Sequence, residues 1–292
     1  MTYKEKSPES WANDITRILN DVYKNDENRF PVNVKNVALE ISKQKFPNDP
    51  ITLIEGNSFD RFEGMLKPRE GKNEWGIFYN NNMPKGRINF TIAHEFGHYL
   101  LHRKLLLKGI ECDYGAMKDW NSPETKRETD ANTFAAYLLM PFDDFRKQTK
   151  NKKETIALFK NLSERYGTSL ISTILRWIEQ TEKRAVIIES IDGYIDWSWS
   201  SKNAKNSRIY FSARNPNQDP IELPKESAAY SNSESLEGIT QKNIWFNETC
   251  VEINIPYEHN NNLTLLIFDD VVEEIEDAVY TDVYDEIMKK HF

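Results

Sequence analysis

The chain is poor in cysteine, with two residues, Cys112 and Cys250, in 292. They lie far apart and form no C-x-x-C pair, which excludes a disulfide framework and a zinc ribbon. An excess of positive charge is also missing. Lys and Arg total 38 against 46 Asp and Glu, a net charge of −8. Proteins that grip a nucleic-acid backbone need clustered cations. No basic patch stands out, so direct DNA binding is not expected. No apolar run approaches the roughly 18 residues that would span a bilayer. The opening MTYKEKSPESWANDITRILN has no apolar core of a signal peptide. There is no internal repeat. The expectation is a soluble cytoplasmic protein without a membrane partner.

What is present suits a packed interior. Apolar residues make up 39% and aromatics 12%, well outside the disordered range. The length fits two domains. Helices are expected at 9–24 and, behind Pro31, at about 32–45. Short strands are expected at 51–56, 62–66 and 75–81. A long helix should cover about 86–105. Another should start at Pro123, capped by Ser122, and end before Pro141. Two shorter helices follow, about 153–165 and 169–181. From residue 184 the texture turns β-branched and aromatic. Strands are expected in RAVIIESI, YIDWSWS, RIYFSA, NIWFNETCVEINI and NLTLLIFD, a long loop over 214–240, and an acidic helix at the C-terminus. The fold class is therefore α+β. It divides into 1–145, a helical segment 146–183, and an α+β region 184–292.

The stretch INFTIAHEFGHYLLH, residues 88–102, carries the chemistry. His94 and His98 are one helical turn apart, so their rings share a face. Two imidazoles so placed can hold one Zn²⁺, and Glu95 is positioned to act on a water beside it. The surrounding helix is apolar on nearly every side, with Ile88, Phe90, Ile92, Ala93, Phe96, Leu100 and Leu101. Burying two histidines and a glutamate there without partners would be costly. His102 lies eight residues beyond His94, about 12 Å along the axis, so one ion cannot take both. The longer metzincin pattern needs a further histidine where this chain has Lys104. His102 reads as structural.

A catalytic zinc needs a third protein ligand. The apolar stripe of helix 123–140, formed by Ala131, Phe134, Ala135, Leu138 and Leu139, extends back to Glu124, Arg127 and Glu128. Asp130 points away. Periodicity leaves Glu124 and Glu128 both open, with Glu128 favoured because it lies deeper. Asn132, one turn on, is placed to orient a liganding histidine.

The blocks RINFTIAHEFGHYLLH and ETDANTFAAYLLMP, in that order, resemble the ImmA/IrrE family of metallo-endopeptidases, and FPVNVKNVALEI resembles that family's N-terminal helix. The resemblance covers about residues 30–141 and fades towards 181. It implies a thermolysin-like minimal zincin domain over 1–145, with His94 and His98 as zinc ligands and Glu95 as catalytic base. The glutamate that begins its E-x-x-A-N-x-F-A pattern is Glu128. It also implies a protein substrate, a helix-turn-helix transcriptional repressor whose cleavage switches on stress or mobile-element genes.

Other features remain open at this level. Tyr99 and Tyr114 are conceivable oxyanion donors, and neither is assigned. WGIFYNN is either a sheet edge that pairs with substrate or an ordinary strand. ETIALFKNLSERYGTSLISTILRWIEQ has helix-turn-helix spacing, but Arg176 is the lone cation of its second helix. Trp197, Trp199, Tyr210, Phe211, Trp245 and Phe246 form either a partner surface or a β core. Region 184–292 is assigned a substrate-recognition or sensor role. Two rival functions stand beside the peptidase. One is a metal-binding regulator that sequesters a partner without cutting it. The other is a zinc hydrolase acting on a small molecule.

Overall fold

A computed structural model describes residues 6–24, 26–59, 62–106, 123–211, 219–231, 236–257 and 261–269. Its contacts separate two compact units, one within Met1–Lys150 and Leu162–Ser169, the other within Asn151–Asn161 and Leu170–Thr281. Helices and sheets are mixed, as the α+β class requires. No described helix is long and apolar enough to cross a membrane.

The first unit opens with α1 (Pro8–Tyr23) and α2 (Val34–Lys45). Ser7 caps α1 by accepting from the Ser10 amide, and Pro8 sets the first turn. Three short strands follow: β1 (Ile51–Asn57), β2 (Gly64–Pro68) and β3 (Trp75–Asn80). Their order is β1-β3-β2, with β1 parallel and β2 antiparallel to β3. Of the two readings left open for WGIFYNN, the ordinary strand holds, since β3 is the centre of the sheet, paired on both sides. β1 and β2 are the edges.

Helix α3 (Lys85–Leu106) runs through the interior of this unit. Residues 91–100 are all buried, which explains why its apolar residues follow no single face. One side meets β2 and β3, another meets α4 (Pro123–Leu139). The expected stripe of α4 is buried, from Ala131 to Leu139. Gly97 sets the spacing of the two helices. A Cβ there would lie 3.0 Å from Phe134 Cδ1 and 3.2 Å from Ala131 Cα. Only a residue without a side chain lets α4 come so close. Ser122, the expected cap, lies outside the described residues.

An eight-residue helix that the sequence reading passed over, α5 (Phe142–Thr149), follows directly. It buries Phe145 against Tyr166, and its Asp144 accepts from Arg165 and Tyr166. Tyr166 ends α6 (Ile156–Tyr166).

In the second unit, α7 (Leu170–Gln180) lies on a five-stranded sheet ordered β5-β4-β8-β7-β6. The strands are β4 (Arg184–Ile191), β5 (Tyr194–Ser200), β6 (Leu236–Thr240), β7 (Cys250–Tyr257) and β8 (Asn261–Phe268), each antiparallel to its neighbours. Short helices α8 (Lys202–Asn206) and α9 (Ala228–Ser231) accompany them. Three expectations are corrected. Residues 208–211 of RIYFSA are not in a strand, and α8 precedes them. The interval 214–240 contains α9 and β6 rather than loop alone. NIWFNET is turn, and the strand begins at Cys250. The aromatic residues behind those misreadings still serve a β core. Phe211 and Phe246 pack together and Phe246 packs on Phe268, with Trp245 buried beside them. The acidic helix expected over 271–292 lies outside the described residues.

Arg176, the cation of the would-be recognition helix, is 2% exposed and paired with Glu179. A buried guanidinium reaches no phosphate, and α7 offers nucleic acid no other cation of its own.

Candidate metal centre

Two buried helices bring the candidate ligands together. His94 and His98 stack one turn apart on α3, rings nearly perpendicular with centroids 4.6 Å apart. Their Nε2 atoms are 3.0 Å apart. From α4, Glu128 Oε2 lies 3.2 Å from His94 Nε2, and its Oε1 lies 3.3 Å from His98 Nε2. Among the described residues, these three form the group of metal-ligand type whose donor atoms converge within 4.8 Å. Zinc sits about 2.0–2.1 Å from nitrogen or carboxylate oxygen, so tetrahedral ligands stand about 3.3 Å apart. The observed separations of 3.0–3.3 Å match that edge. Two imidazoles and one carboxylate are also a donor set suited to zinc, and they leave a fourth position open. The residues fit the metal. The runner-up, Glu124, has a side chain outside the described residues.

Electrostatics suits the same purpose. Burial, reinforced by the neighbouring His94 and His102, drives His98 down to about 4, so its ring is neutral at pH 7. Burial also opposes charge on His94, but hydrogen bonding to Glu128 and the charge of Glu95 outweigh it and the ring is raised. Burial works against the Glu128 carboxylate too. The two imidazoles overcome it and hold the group well below the usual carboxylate range. An ionised carboxylate next to a neutral imidazole is the form a metal ion takes up.

Contacts on the far nitrogens fix the rings. His94 Nδ1 is 2.9 Å from Asn132 Oδ1. The amide oxygen accepts, so Nδ1 carries a hydrogen, and Nε2, the nitrogen that faces Glu128, is the one that would give its lone pair to a metal. His98 Nδ1 is 3.0 Å from Nδ1 of His102, and His102 Nε2 is 3.8 Å from Asp130 Oδ2. The sequence reading missed both contacts. It asked whether His102 could reach the metal, and His102 instead meets the ligand one turn before it. It turned Asp130 away from the metal-facing stripe, and Asp130 meets His102. The i, i+4 spacing of His98 and His102 was the available signal.

Glu95 is 2% exposed, between the two histidines. The first residue of β2 passes over it, since a Cβ at Gly64 would stand 3.4 Å from Glu95 Cγ and 2.4 Å from Thr91 Cγ2. Tyr99 is not available for catalysis. It is fully buried against Phe46, Trp75 and Phe96, and its hydroxyl donates to the Asp49 carbonyl at 2.8 Å. Tyr114 lies outside the described residues.

Residues 58–177 match the family profile described as IrrE N-terminal-like domain, Peptidase_M78. No curated protein matches the chain. A solved structure, a Mycobacterium tuberculosis transcriptional regulator, is similar in fold, with a TM-score of 0.53 at 16% sequence identity. The alignment covers 89% of this chain and 78% of that one.

Proposed function

We propose that this chain, which carries an IrrE N-terminal-like domain over residues 58–177, is a cytoplasmic zinc-dependent endopeptidase acting on a protein substrate. The observation that carries the reading is the convergence of His94, His98 and Glu128 around one point with Glu95 beside it. A structural zinc site closes all four positions with protein ligands and has no use for a base. Here three ligands are supplied and a buried carboxylate stands next to them.

Bound zinc would be held by His94, His98 and Glu128 and would supply Lewis acidity at the scissile carbonyl. Glu95 would take the proton of the attacking water and pass it to the leaving amine. Asn132 holds the His94 ring so that its free lone pair faces the site. The strand that presents substrate is β2 rather than β3. β2 starts over Glu95, and its outer side is paired with no described strand. An extended peptide added there would lie along the site. The thermolysin-like layout of 1–145 and a recognition or sensor role for 184–292, with 146–183 between them, belong to this reading. So does the substrate class, a helix-turn-helix repressor.

The test is incubation with the helix-turn-helix protein encoded beside this one, with and without chelator. Cleavage that stops with chelator and with Glu95→Gln is expected. A chelator-sensitive effect on the partner without any cut, equal in Glu95→Gln, would replace the peptidase by a sequestering regulator.

A further inference from the structure

Each of the two histidines facing Glu128 has a second ring nitrogen, and each of those nitrogens has a polar neighbour. For His94 it is Asn132. For His98 it is His102, whose own far nitrogen faces Asp130. His98 is 1% exposed and His102 6% exposed, so these nitrogens are withdrawn from bulk solvent. We infer that His102 and Asp130 form a positioning relay that fixes the orientation and tautomer of His98. The inference rests on the reading of His94, His98 and Glu128 as the zinc ligands.

His98 offers Nε2 towards Glu128 and His94, so the lone pair needed for a metal is on Nε2. Its hydrogen is then on Nδ1. That N–H points at His102 Nδ1, 3.0 Å away, which must accept. His102 therefore carries its own hydrogen on Nε2, the nitrogen 3.8 Å from the Asp130 carboxylate. This is charge-pair distance, slightly longer than a hydrogen bond. Asp130 is about one third exposed and has room to close it. A carboxylate favours the N–H on the side that faces it, so Asp130 selects the His102 tautomer that accepts from His98. With Nε2 of His98 given to a metal, each of these steps follows from the one before. Helix α4 would thus supply Glu128 to the metal and hold both histidines, one directly through Asn132 and one through His102.

Such outer partners typically change metal affinity by about 10–100-fold, and this sets the experiment. Zinc affinity is measured on the full chain by competition with a chromophoric chelator. The visible spectrum of the cobalt-substituted protein reports ligand geometry, and thermal unfolding of the metal-free protein reports the fold. His102→Leu leaves the His98 Nδ1–H without an acceptor, and about a 10–100-fold loss of zinc affinity with an altered cobalt spectrum is expected. His102→Asn places an acceptor oxygen where Nδ1 stood and should restore most of the affinity. Asp130→Asn should fall between them. A merely structural His102 would lower the unfolding temperature of the metal-free protein in both variants alike, leaving zinc affinity and the cobalt spectrum unchanged. That result overturns the proposal. Equal affinity loss in His102→Leu and His102→Asn overturns it as well. A wild-type chain that takes up no zinc removes the ligand reading and this inference together, and so separates the two failures. If His102→Leu does not fold, Asp130→Asn on the surface side of the relay carries the test alone, and unchanged affinity there overturns the proposal.

Discussion

Gly97→Ala adds one methyl group at the point where α3 and α4 touch. Its Cβ would stand 3.0 Å from Phe134 Cδ1, 3.2 Å from Ala131 Cα and 3.3 Å from the Ala131 carbonyl oxygen. The phenylalanine ring can tilt, but the Ala131 backbone moves only with its helix. Reaching ordinary contact at 3.4 Å requires α4 to retreat by at least a few tenths of an ångström. Glu128 lies one turn before Ala131 and retreats with it. Metal sites tolerate about ±0.2 Å in ligand distance, so the shift is enough to strain the Glu128 bond. Two effects compete in overall stability. Alanine favours a helix interior over glycine by about 1 kcal/mol, whereas overpacking a core costs about 1–3 kcal/mol. The net stability change should lie between zero and a loss of about 2 kcal/mol. Zinc affinity has no compensating gain, and a fall of about tenfold, near 1.4 kcal/mol, is expected. Chelator competition and unfolding of the metal-free protein measure the two quantities separately. A variant with unchanged zinc affinity and a higher unfolding temperature would refute the idea that Gly97 sets the helix spacing.

Three further outcomes are expected. Gly64→Ala, whose Cβ would press 2.4 Å from Thr91 Cγ2 above Glu95, should lift β2 off α3 and lower the cleavage rate while zinc content stays at the wild-type level; undiminished turnover would count against β2 as the substrate-bearing edge. At Asp144, burial opposes the charge, but Arg165 and Tyr166 hold the carboxyl below its usual value, so its contribution is full above about pH 4 and disappears as pH falls through the folded-state value. Asp144→Asn should therefore cost about 1.5–3 kcal/mol at pH 7 and show a shallower loss than wild type in denaturant titrations between pH 5 and 3; parallel pH profiles would contradict this. The Cys250 thiol, buried and pushed up to about 12 by burial and the Glu252 charge, should resist a thiol reagent at pH 8 until the protein is unfolded, so rapid labelling of that residue in the native chain would be inconsistent with this packing.

The candidate metal site was legible in the sequence because the residues that converge there obey helical periodicity. His94 and His98 share a face by their spacing, and the stripe of α4 extends to Glu128, which lies within 3.3 Å of both rings. Asn132, inferred from the i+4 relation to Glu128, is found on His94. Periodicity describes one helix at a time, so it could not reveal what one helix places beside another's second nitrogen. Asp130 was missed for that reason, whereas His102, one turn beyond His98 on the same helix, was open to periodicity and was weighed only as a metal ligand. The place of WGIFYNN in the sheet of the first unit stayed open because strand order is a tertiary property. WGIFYN reads as a strand, and nothing local to it says that two others flank it. In the second unit, aromatic and β-branched composition was taken for strand. Trp245 and Phe246 lie in a turn and reach the core from there, burial being a need that a loop can also meet. The weakly patterned LEGIT, mostly exposed at the sheet edge, gave no alternation to find.

The most direct test of the central claim is metal content. Full-length protein, purified without added metal, is compared by elemental analysis with His98→Ala and Glu128→Ala, each first checked for folding by circular dichroism. The account predicts one zinc per wild-type chain and near-complete loss in both variants, since His94, His98 and Glu128 are the three donors that converge. Equal zinc in wild type and either variant would contradict it.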